Sequence, residues 1–437
     1  MSTDAVIALV VLLFGWSVLS GRLERLDVTG PIVFVAVGLL LCNGPWAVVD
    51  ITIESNAVHG LAEITLALLL FADAARIDPR DLRHNAGLPI RLLAVGLPLT
   101  FALGAGLAAA ILTDLPWELA ALLGAVLAPT DAALSASVVT DESLPQAIRR
   151  SLNVESGLND GIATPAVTAL LAAAATVIGV GAVEDTASSP GTAGLVDLLG
   201  GVAIGVLVGY LGGVVVTRAR AEGWIAPGGR RIAVLMLAVL AFLVAEEVGV
   251  NYFVAAFVGG IAFRAGIGAD DEEATELPEL IGRVLALAVW FVFGAGLLVD
   301  GLELVDWRIA LYSVLSLTVV RMAPVAVSMI GAGFSGPATA FIGWFGPRGL
   351  ASVVFGLLIV EELPADDPRV QTVLSTVVLT VLLSVLAHGI SGRPLSAWMR
   401  RKERGSASAD EDTQTRPPST FGRPRAGGDH GGYCSRE

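Results

Sequence analysis

The chain has little charge for its length and almost no lysine. Of its 437 residues, 16% are charged and 54% are hydrophobic, and Lys402 is its one lysine. Its two cysteines, Cys42 and Cys434, lie in unrelated contexts and suggest neither a disulfide nor a metal site. The four histidines form no ligand cluster and none lies in the motifs described below, so a histidine pH switch has no support. No phosphate-binding glycine pattern is present, and we expect neither a cofactor nor a nucleic-acid partner.

Long apolar runs make up most of the chain. Each run of about 17–25 residues can cross a hydrocarbon core roughly 30 Å thick as a helix. Strand-like alternation is nowhere evident, which disfavours a barrel. The first run, residues 5–19, lacks a preceding basic stretch and a cleavage site, so we interpret it as a retained helix. The pattern predicts an all-α polytopic membrane protein with about thirteen spans. These are residues 4–20, 30–44, 59–74, 88–111, 116–139, 150–180, 194–217, 230–247, 251–266, 280–300, 308–331, 337–360 and 370–396.

The arginines predict the orientation of these spans. They recur in the loops after odd-numbered spans, whereas the loops after even-numbered spans hold only Arg308 and Arg369. The positive-inside rule then places the N-terminus outside and the C-terminus in the cytoplasm of a multi-pass cell-membrane protein. Residues 397–437 are polar and rich in Gly, Pro and Ser. Such a segment cannot bury enough apolar surface to become ordered, so we predict a mostly disordered cytoplasmic tail.

Two of the predicted spans contain a helix-breaking sequence. Pro129, in LAPTDAAL, lacks an N–H and should interrupt its helix beside Thr130 and Asp131. The sequence GPRG should do the same in a later span and hold Arg348 at the break. Paired discontinuous helices in the two halves of a transporter mark a binding site at the membrane midplane. The alternative is a pair of proline kinks with a structural role only.

Charged and polar residues also interrupt the span at 150–180. Charges at bilayer depth are costly and usually mark an ion or proton path. Ser156, Asn159 and Asp160 follow the i, i+3, i+4 spacing and share one helix face. Oxygen donors of this kind suit a hard cation such as Na⁺. A further membrane charge, Arg321, must find a carboxylate or carbonyl groups, and Glu155 and Glu63 are the available carboxylates.

Several of these segments together resemble a known family. PTDAALSASVV, ESGLND and WFGPRGLASVVFGLL, with Glu63 in AEITLALLLF and Arg321, are similar to motifs of the monovalent cation:proton antiporter-1 family, the NhaP-like sodium/proton exchangers. The resemblance spans residues 4–396. It implies an NhaA-like antiporter fold, with a core domain of two inverted repeats at about 88–180 and 308–396. It also implies a dimerisation domain at about 4–74 and 194–300, from which Glu63 reaches the site, and a homodimer in membrane lipid.

The resemblance further implies that Asp160 is the central carboxylate and binds either a cation or a proton. Thr130, Ser156 and Glu63 would supply further ligands for Na⁺, directly or through water. Since only the loaded carboxylate is neutralised, the core domain could carry it across the barrier in either loaded state. This gives Na⁺/H⁺ exchange, with Li⁺ as a further candidate substrate.

Supporting contacts are implied as well. Asp131 would pair with Asn159, Glu155 would form an ion bridge with Arg321, and Arg348 would counter the partial charges of the half-helix ends. Electrogenic relatives have a second acid in place of Asn159, and an amide cannot carry a proton. We therefore predict electroneutral exchange of one Na⁺ for one H⁺.

Three other functions stay open at this point. K⁺/H⁺ exchange is the main alternative, because the ligand types do not distinguish K⁺ from Na⁺. A cation channel would also line its path with carboxylates. Asp131 and Asp160 are suggestive of an intramembrane aspartyl protease, but the GxGD and PAL motifs of those enzymes are absent. We predict a transporter and not an enzyme.

Overall fold

The structure, a computed structural model, describes residues 3–26, 28–43, 49, 51–53, 55–77, 87–180, 190–267 and 272–414. Every regular element in these ranges is a helix, and no β-strand occurs among them. Inside a bilayer no water is available to the backbone, and a helix satisfies its own N–H and C=O groups. The all-α prediction is confirmed.

The helices are named α1 to α15 in chain order. Two of them, α4 and α11, each contain one wider π-type turn, at Leu92–Gly96 and Phe293–Leu297. The bounds are α1 Thr3–Leu23, α2 Gly30–Asn43, α3 Asn56–Ala75, α4 Gly87–Ile111, α5 Trp117–Val126, α6 Ala136–Val139, α7 Gln146–Ile178, α8 Pro190–Ala221, α9 Pro227–Val248, α10 Tyr252–Ile267, α11 Glu273–Glu303, α12 Trp307–Ser328, α13 Gly336–Trp344, α14 Leu350–Glu362 and α15 Pro368–Gln414.

Eight of the described helices are long and apolar enough to cross a membrane. They are α1, α3, α4, α7, α8, α11, α12 and α15. Three shorter apolar helices, α2, α5 and α10, accompany them. The helices overlap the predicted spans, and the protein is a multi-pass membrane protein. The count of thirteen crossings stays a prediction.

Both predicted helix breaks are present. Helix α5 ends at Val126, and the chain resumes helical geometry in a 3-10 turn at Ala132–Ser135 that leads into α6. Helix α13 ends at Trp344, and α14 begins at Leu350. Pro129 and Pro347 lie inside the two gaps, and neither has the N–H that a continuing helix needs. The two discontinuous helices are confirmed.

The helices pack in two groups. Helices α4–α7 pack with α12–α15 around the two breaks, and α3 packs with α8–α11, with α2 against α11. The groups meet where α3, α10 and α11 contact α7, α14 and α15. The first group overlaps the ranges 88–180 and 308–396, and their assignment to a core domain stays a prediction. The breaks lie inside the first group, next to the boundary with the second group.

Helices α8 and α10 approach closely through glycine. Gly205, Gly209 and Gly213 on α8 face the backbone of α10, and a Cβ at Gly209 would lie 2.1 Å from the carbonyl oxygen of Gly259. Lipid tails are as apolar as leucine, so close backbone packing by small residues is a main source of helix association in membranes. No side chain fits at Gly209 unless one of the helices moves.

Helix α15 continues into the predicted tail. The tail at 397–437 is predicted to be mostly disordered, and its first part is helical as far as Gln414. Met399 is buried, and Arg400 donates to Asp141 at 2.6 Å and to Ser143 at 3.2 Å. The first turn of the predicted tail is therefore held by the loop before α7, a contact that composition does not reveal. Residues 415–437 lie outside the described ranges.

We expect Gly209→Ala to lower the melting temperature in detergent, because the added Cβ would push α8 away from α10. Gly194→Ala on the same helix is the matched control, since a Cβ there meets nothing within 4 Å. Alanine favours a helix over glycine by about 1 kcal/mol, so the control should melt at or above the wild-type temperature. Equal melting temperatures for the two variants would contradict the close approach.

Candidate functional site

The two helix breaks cross and are joined through their backbones. The Asp131 N–H donates to the carbonyl of Pro347 at 2.8 Å. A broken helix leaves N–H and C=O groups unpaired at its ends, and each must find a partner at bilayer depth. At the crossing, a backbone group of one break supplies the hydrogen-bond partner for a backbone group of the other. We call the segments 127–131 and 345–349 together the crossing.

Asp131 caps both half-helices that leave the crossing. Its Oδ1 accepts from the Ala133 N–H at 2.8 Å and its Oδ2 from the Leu350 N–H at 3.0 Å. A carboxylate at a helix N-terminus satisfies free N–H groups and is favoured by the helix dipole. A Cβ at Gly349 would lie 2.1 Å from the Asp131 carboxylate, so only glycine leaves room for it. These contacts hold Asp131 at the junction of the two breaks, and its supporting role stays a prediction.

Arg348 covers the opposite ends, where carbonyl groups are free. Its side chain is fully buried and donates to the carbonyls of Ala128 at 2.7 Å and Pro129 at 3.2 Å. It also reaches the Ser316 carbonyl at 3.4 Å. A guanidinium stays protonated and carries five donors, which suits it to several carbonyls at once. Arg348 thus lies at the second break and faces free carbonyls of the first, and its supporting role stays a prediction.

Glu155 and Arg321 form a buried ion pair. Two hydrogen bonds join them, at 2.5 and 2.9 Å, and each side chain is only 3% exposed. The sequence leaves Glu155 and Glu63 as candidate partners of Arg321, and the partner is Glu155. A Cβ at Gly346 would lie 2.1 Å from the Arg321 guanidinium. Each glycine of GPRG therefore makes room for one charged side chain.

Hydroxyl and amide groups tie α7 to the first break. Ser156 Oγ donates to the Thr130 carbonyl at 2.8 Å and accepts from the Ala132 N–H at 2.6 Å. The Asn159 amide donates to the Thr130 hydroxyl at 2.7 Å. The resemblance implies that Asn159 pairs with Asp131, whereas in the structure Asn159 pairs with Thr130. Asp131 uses its oxygens as caps, so the amide bonds to the neighbouring threonine instead.

Asp160 lies one residue further along α7 and is half-buried. Its Oδ1 atom is buried and has no hydrogen-bond partner among the described residues. Asp131 and Asp73 are the carboxylates whose charges act on it. An oxygen left unpaired at bilayer depth is costly unless something else neutralises the group. Asp160 is thus the carboxylate at the crossing that is free to take a ligand.

Asp73, near the end of α3, is a site residue that the sequence motifs miss. A Cβ at Gly157 would lie 3.6 Å from the Asp73 side chain, which places that side chain against α7 one turn before Asp160. The segment FADAARID contains the signal, since a carboxylate follows the apolar run of α3. Its neighbours Arg76 and Asp78 suggest a solvated loop. The sequence alone therefore does not show that Asp73 lies within the helix and faces the site.

Glu63 lies elsewhere on the same helix. Its carboxylate accepts from the Tyr252 hydroxyl at 2.5 Å. The ten residues between Glu63 and Asp73 correspond to about 15 Å along a helix. Near Glu63, His59 contacts Glu361 at the end of α14 at 3.3 Å. No hydrogen bond joins Glu63 to Asp160, Thr130 or Ser156 in the described part of the chain.

The donors at the crossing suit a monovalent cation better than a transition metal. No group of three or more His, Cys, Asp or Glu side chains in the described residues could hold a metal ion together. A cation at Asp160 would be completed by hydroxyl oxygens, carbonyl oxygens and water. Such hard oxygen donors match Na⁺ or K⁺.

Two crossing helix breaks with an unpaired carboxylate beside them define the class of protein. They are the arrangement of a secondary transporter built from discontinuous helices. The chain belongs to the sodium/hydrogen exchanger family of transmembrane proteins, whose sequence model matches residues 7–398.

Individual relatives agree with this. The chain is 26% identical over 382 residues to the K⁺/H⁺ antiporter NhaP2 of Shewanella baltica, covering 85% of this chain and 63% of that protein. It is 25% identical to a Na⁺/H⁺ antiporter of Schizosaccharomyces pombe, covering 78% of each chain. The chain thus spans less than two thirds of the Shewanella relative. The sodium proton antiporter MjNhaP1 of Methanocaldococcus jannaschii has the same fold, with a TM-score of 0.72 over 91% of this chain and 99% of that one, at 18% identity.

The buried ion pair yields a stability prediction. We expect Glu155→Gln to destabilise the fold by about 3–5 kcal/mol, because it leaves Arg321 charged and unpaired in the interior. Replacing both residues, as Glu155→Met with Arg321→Met, removes the charge and should cost clearly less than the single change. Thermal unfolding of the single and double variants measures the coupling. A double variant less stable than Glu155→Gln would show that the pair contributes more than mutual neutralisation.

Proposed function

We propose that the protein exchanges Na⁺ for H⁺ across the cytoplasmic membrane, with Asp160 binding either the cation or the proton. One observation carries the proposal. The other charged groups at the crossing are paired or hydrogen-bonded, whereas the Oδ1 of Asp160 has no partner among the described residues. Membership of the sodium/hydrogen exchanger family supports the same function.

The chemistry of exchange follows from a single carboxylate at low dielectric. A bare carboxylate is costly to bury, and either a bound cation or a bound proton removes its charge. The two ligands compete for the same oxygens, so occupation by one releases the other. A carrier that moves only when neutralised then couples the two fluxes and allows no net leak.

Thr130 and Ser156 are proposed as further cation ligands. Both hydroxyls lie where the first break meets α7, and both have hydrogen-bond partners that hold them there. For the ligand from α3, the geometry favours Asp73 over Glu63, because Asp73 lies against Gly157 on α7. Asp131, Asn159, Glu155, Arg321 and Arg348 are proposed to support the site without contacting the cation.

The packing supports alternating access. The crossing lies wholly in the group formed by α4–α7 and α12–α15, while Asp73 and Glu63 belong to the other group. We propose that the first group moves as the core domain against the second, which would also form the contact between two protomers of a homodimer. The N-terminus would lie outside the cell and the C-terminus in the cytoplasm.

Stoichiometry and cation choice are the finer parts of the proposal. Asn159 is an amide that donates to Thr130, so Asp160 is the titrating group at that point of α7. This supports exchange of one Na⁺ for one H⁺ without net charge. K⁺/H⁺ exchange is the second candidate, because relatives named K⁺/H⁺ antiporters and relatives named Na⁺/H⁺ antiporters match the chain alike.

The first test is collapse of a preset pH gradient in proteoliposomes on addition of Na⁺, Li⁺ or K⁺. We expect Na⁺ to release the gradient in the wild type, and Asp160→Asn to abolish the response because an amide exchanges no proton. The ion series decides between Na⁺ and K⁺, and an imposed membrane voltage should leave the rate unchanged. A folded wild-type protein that responds to no cation would refute antiport.

A second test separates the two carboxylates of α3. We expect Asp73→Asn to raise the cation concentration for half-maximal exchange by about tenfold, the equivalent of one lost charged contact of about 1.4 kcal/mol. Glu63→Gln removes the same charge about 15 Å away and should change that concentration less than twofold. If Glu63→Gln raised that concentration more than Asp73→Asn does, Glu63 would be the cation ligand from α3.

A further inference from the structure

The crossing has an additional support on α15 that none of the motifs contains. Ser384, His388 and Ser391 are spaced at i, i+4 and i+7 and lie on one face of that helix. Ser384 and His388 are fully or almost fully buried. Each of the three contacts a residue at an end of the second break. We call them the α15 clamp.

His388 holds the end of the break that leaves α13. Its Nε2 lies 2.8 Å from the carbonyl of Trp344, the last residue of α13. A carbonyl can only accept, so Nε2 carries the hydrogen in this contact. The imidazole also stacks on the Trp344 indole, with ring centroids 5.1 Å apart, and the indole N–H donates to Ser391 at 2.9 Å. Backbone and side chain of Trp344 are therefore both fixed by α15.

Ser384 holds the other end of the break. Its hydroxyl accepts from the Arg348 N–H at 2.7 Å and lies 3.4 Å from Nδ1 of His388. Nδ1 of His388 lies nearer the Ser384 carbonyl, at 2.9 Å, one turn back on the same helix. Ser384 therefore holds the Arg348 N–H and His388 holds the Trp344 carbonyl. This two-armed bridge spans the second break from one face of α15.

The position of Arg348 depends on this bridge. Its backbone is held by Ser384, and its side chain satisfies the carbonyls of Ala128 and Pro129, directly before Thr130. A shift of the Arg348 backbone would move the carbonyls and hydroxyl that face α7. In lipid the freed carbonyls have no water to replace the lost donors. The clamp therefore acts on the cation site through Arg348.

We propose that His388 is a positioning residue for ion binding, which holds the second helix break through Trp344 and Ser384 and thereby sets the geometry of the cation ligands at the first break. The proposal rests on the proposed antiport. In the described part of the chain, the hydrogen bonds of His388 go to Ser384 and Trp344, neither of which is proposed to bind the cation. Its place is also far from the motifs in sequence, 44 positions from Trp344.

Two conservative substitutions separate the two ring nitrogens. Glutamine places an amide N–H near the position of Nε2, so His388→Gln can keep the bond to the Trp344 carbonyl. Asparagine places it near Nδ1, so His388→Asn loses that bond. We expect His388→Asn to raise the Na⁺ concentration for half-maximal exchange by roughly five- to tenfold with the maximal rate within twofold, and His388→Gln to stay within threefold of wild type.

Two further variants complete the test. Ser384→Ala removes the other arm of the bridge and should raise the same concentration as His388→Asn does. Thr380→Val is the matched control on α15 and should behave as wild type. Among the described residues, its buried hydroxyl bonds to the Thr376 carbonyl of its own helix and to no residue of the crossing. The rise in melting temperature on adding Na⁺ is measured for every variant, because it reports binding independently of transport.

The outcomes separate the two proposals. A wild-type protein without exchange refutes antiport, and the Na⁺-dependent melting shifts of the variants then still decide whether the clamp acts on the cation site. Unchanged cation dependence in His388→Asn and Ser384→Ala, with only a lower melting temperature, would overturn the positioning role. Equal effects of Asn and Gln at 388 would overturn it as well. If His388→Asn fails to fold, the Na⁺ concentrations for half-maximal exchange of Ser384→Ala and Thr380→Val are compared, and equal values would overturn the positioning role.

Discussion

The structure depends on the need to pair every backbone polar group at bilayer depth. Breaking two helices where no water is available frees several N–H and C=O groups, each of which costs free energy if left unpaired. At the crossing, residues of one break supply hydrogen-bond partners to the backbone of the other. Asp131 takes the free N–H groups and Arg348 the free carbonyls. Since each charge lies at the helix end that favours it, helix dipoles stabilise both.

This pairing explains why so many polar residues can be buried beside one another. Glu155 neutralises Arg321, Ser156 and Asn159 bind to Thr130, and Ser384 accepts from Arg348. Buried polar networks stabilise a fold only when each member is satisfied. Oδ1 of Asn159 and Oδ1 of Asp160 both lack a hydrogen-bond partner among the described residues, and of these two side chains only Asp160 can carry a charge. An unpaired carboxylate oxygen in a transporter interior points to the transported species.

Sequence reasoning predicts what is encoded locally. Apolar runs predict the helices, Pro129 and the GPRG sequence predict the breaks, and i, i+3, i+4 spacing places Ser156, Asn159 and Asp160 on one face. Sequence reasoning does not predict contacts between distant segments. The partner of Asn159, the nearness of Asp73 to α7, the helix beyond residue 397 and the bond from His388 to Trp344 all depend on how helices pack. No local pattern encodes that packing.

The charges fixed at the crossing also determine the charge carried by the first group of helices, α4–α7 and α12–α15. Arg348 and Arg321 contribute two positive charges, and Asp131 and Glu155 contribute two negative ones, so these four groups sum to zero. Asp160 adds one negative charge on the same group of helices, and Asp73 lies on the other. One monovalent cation or one proton therefore brings the crossing to neutrality, and a neutral group crosses a low-dielectric barrier at the least electrostatic cost. The balance supports exchange of one cation for one proton, and it depends on Asn159 being an amide, because a second ionised carboxylate there would leave the crossing charged with one ligand bound.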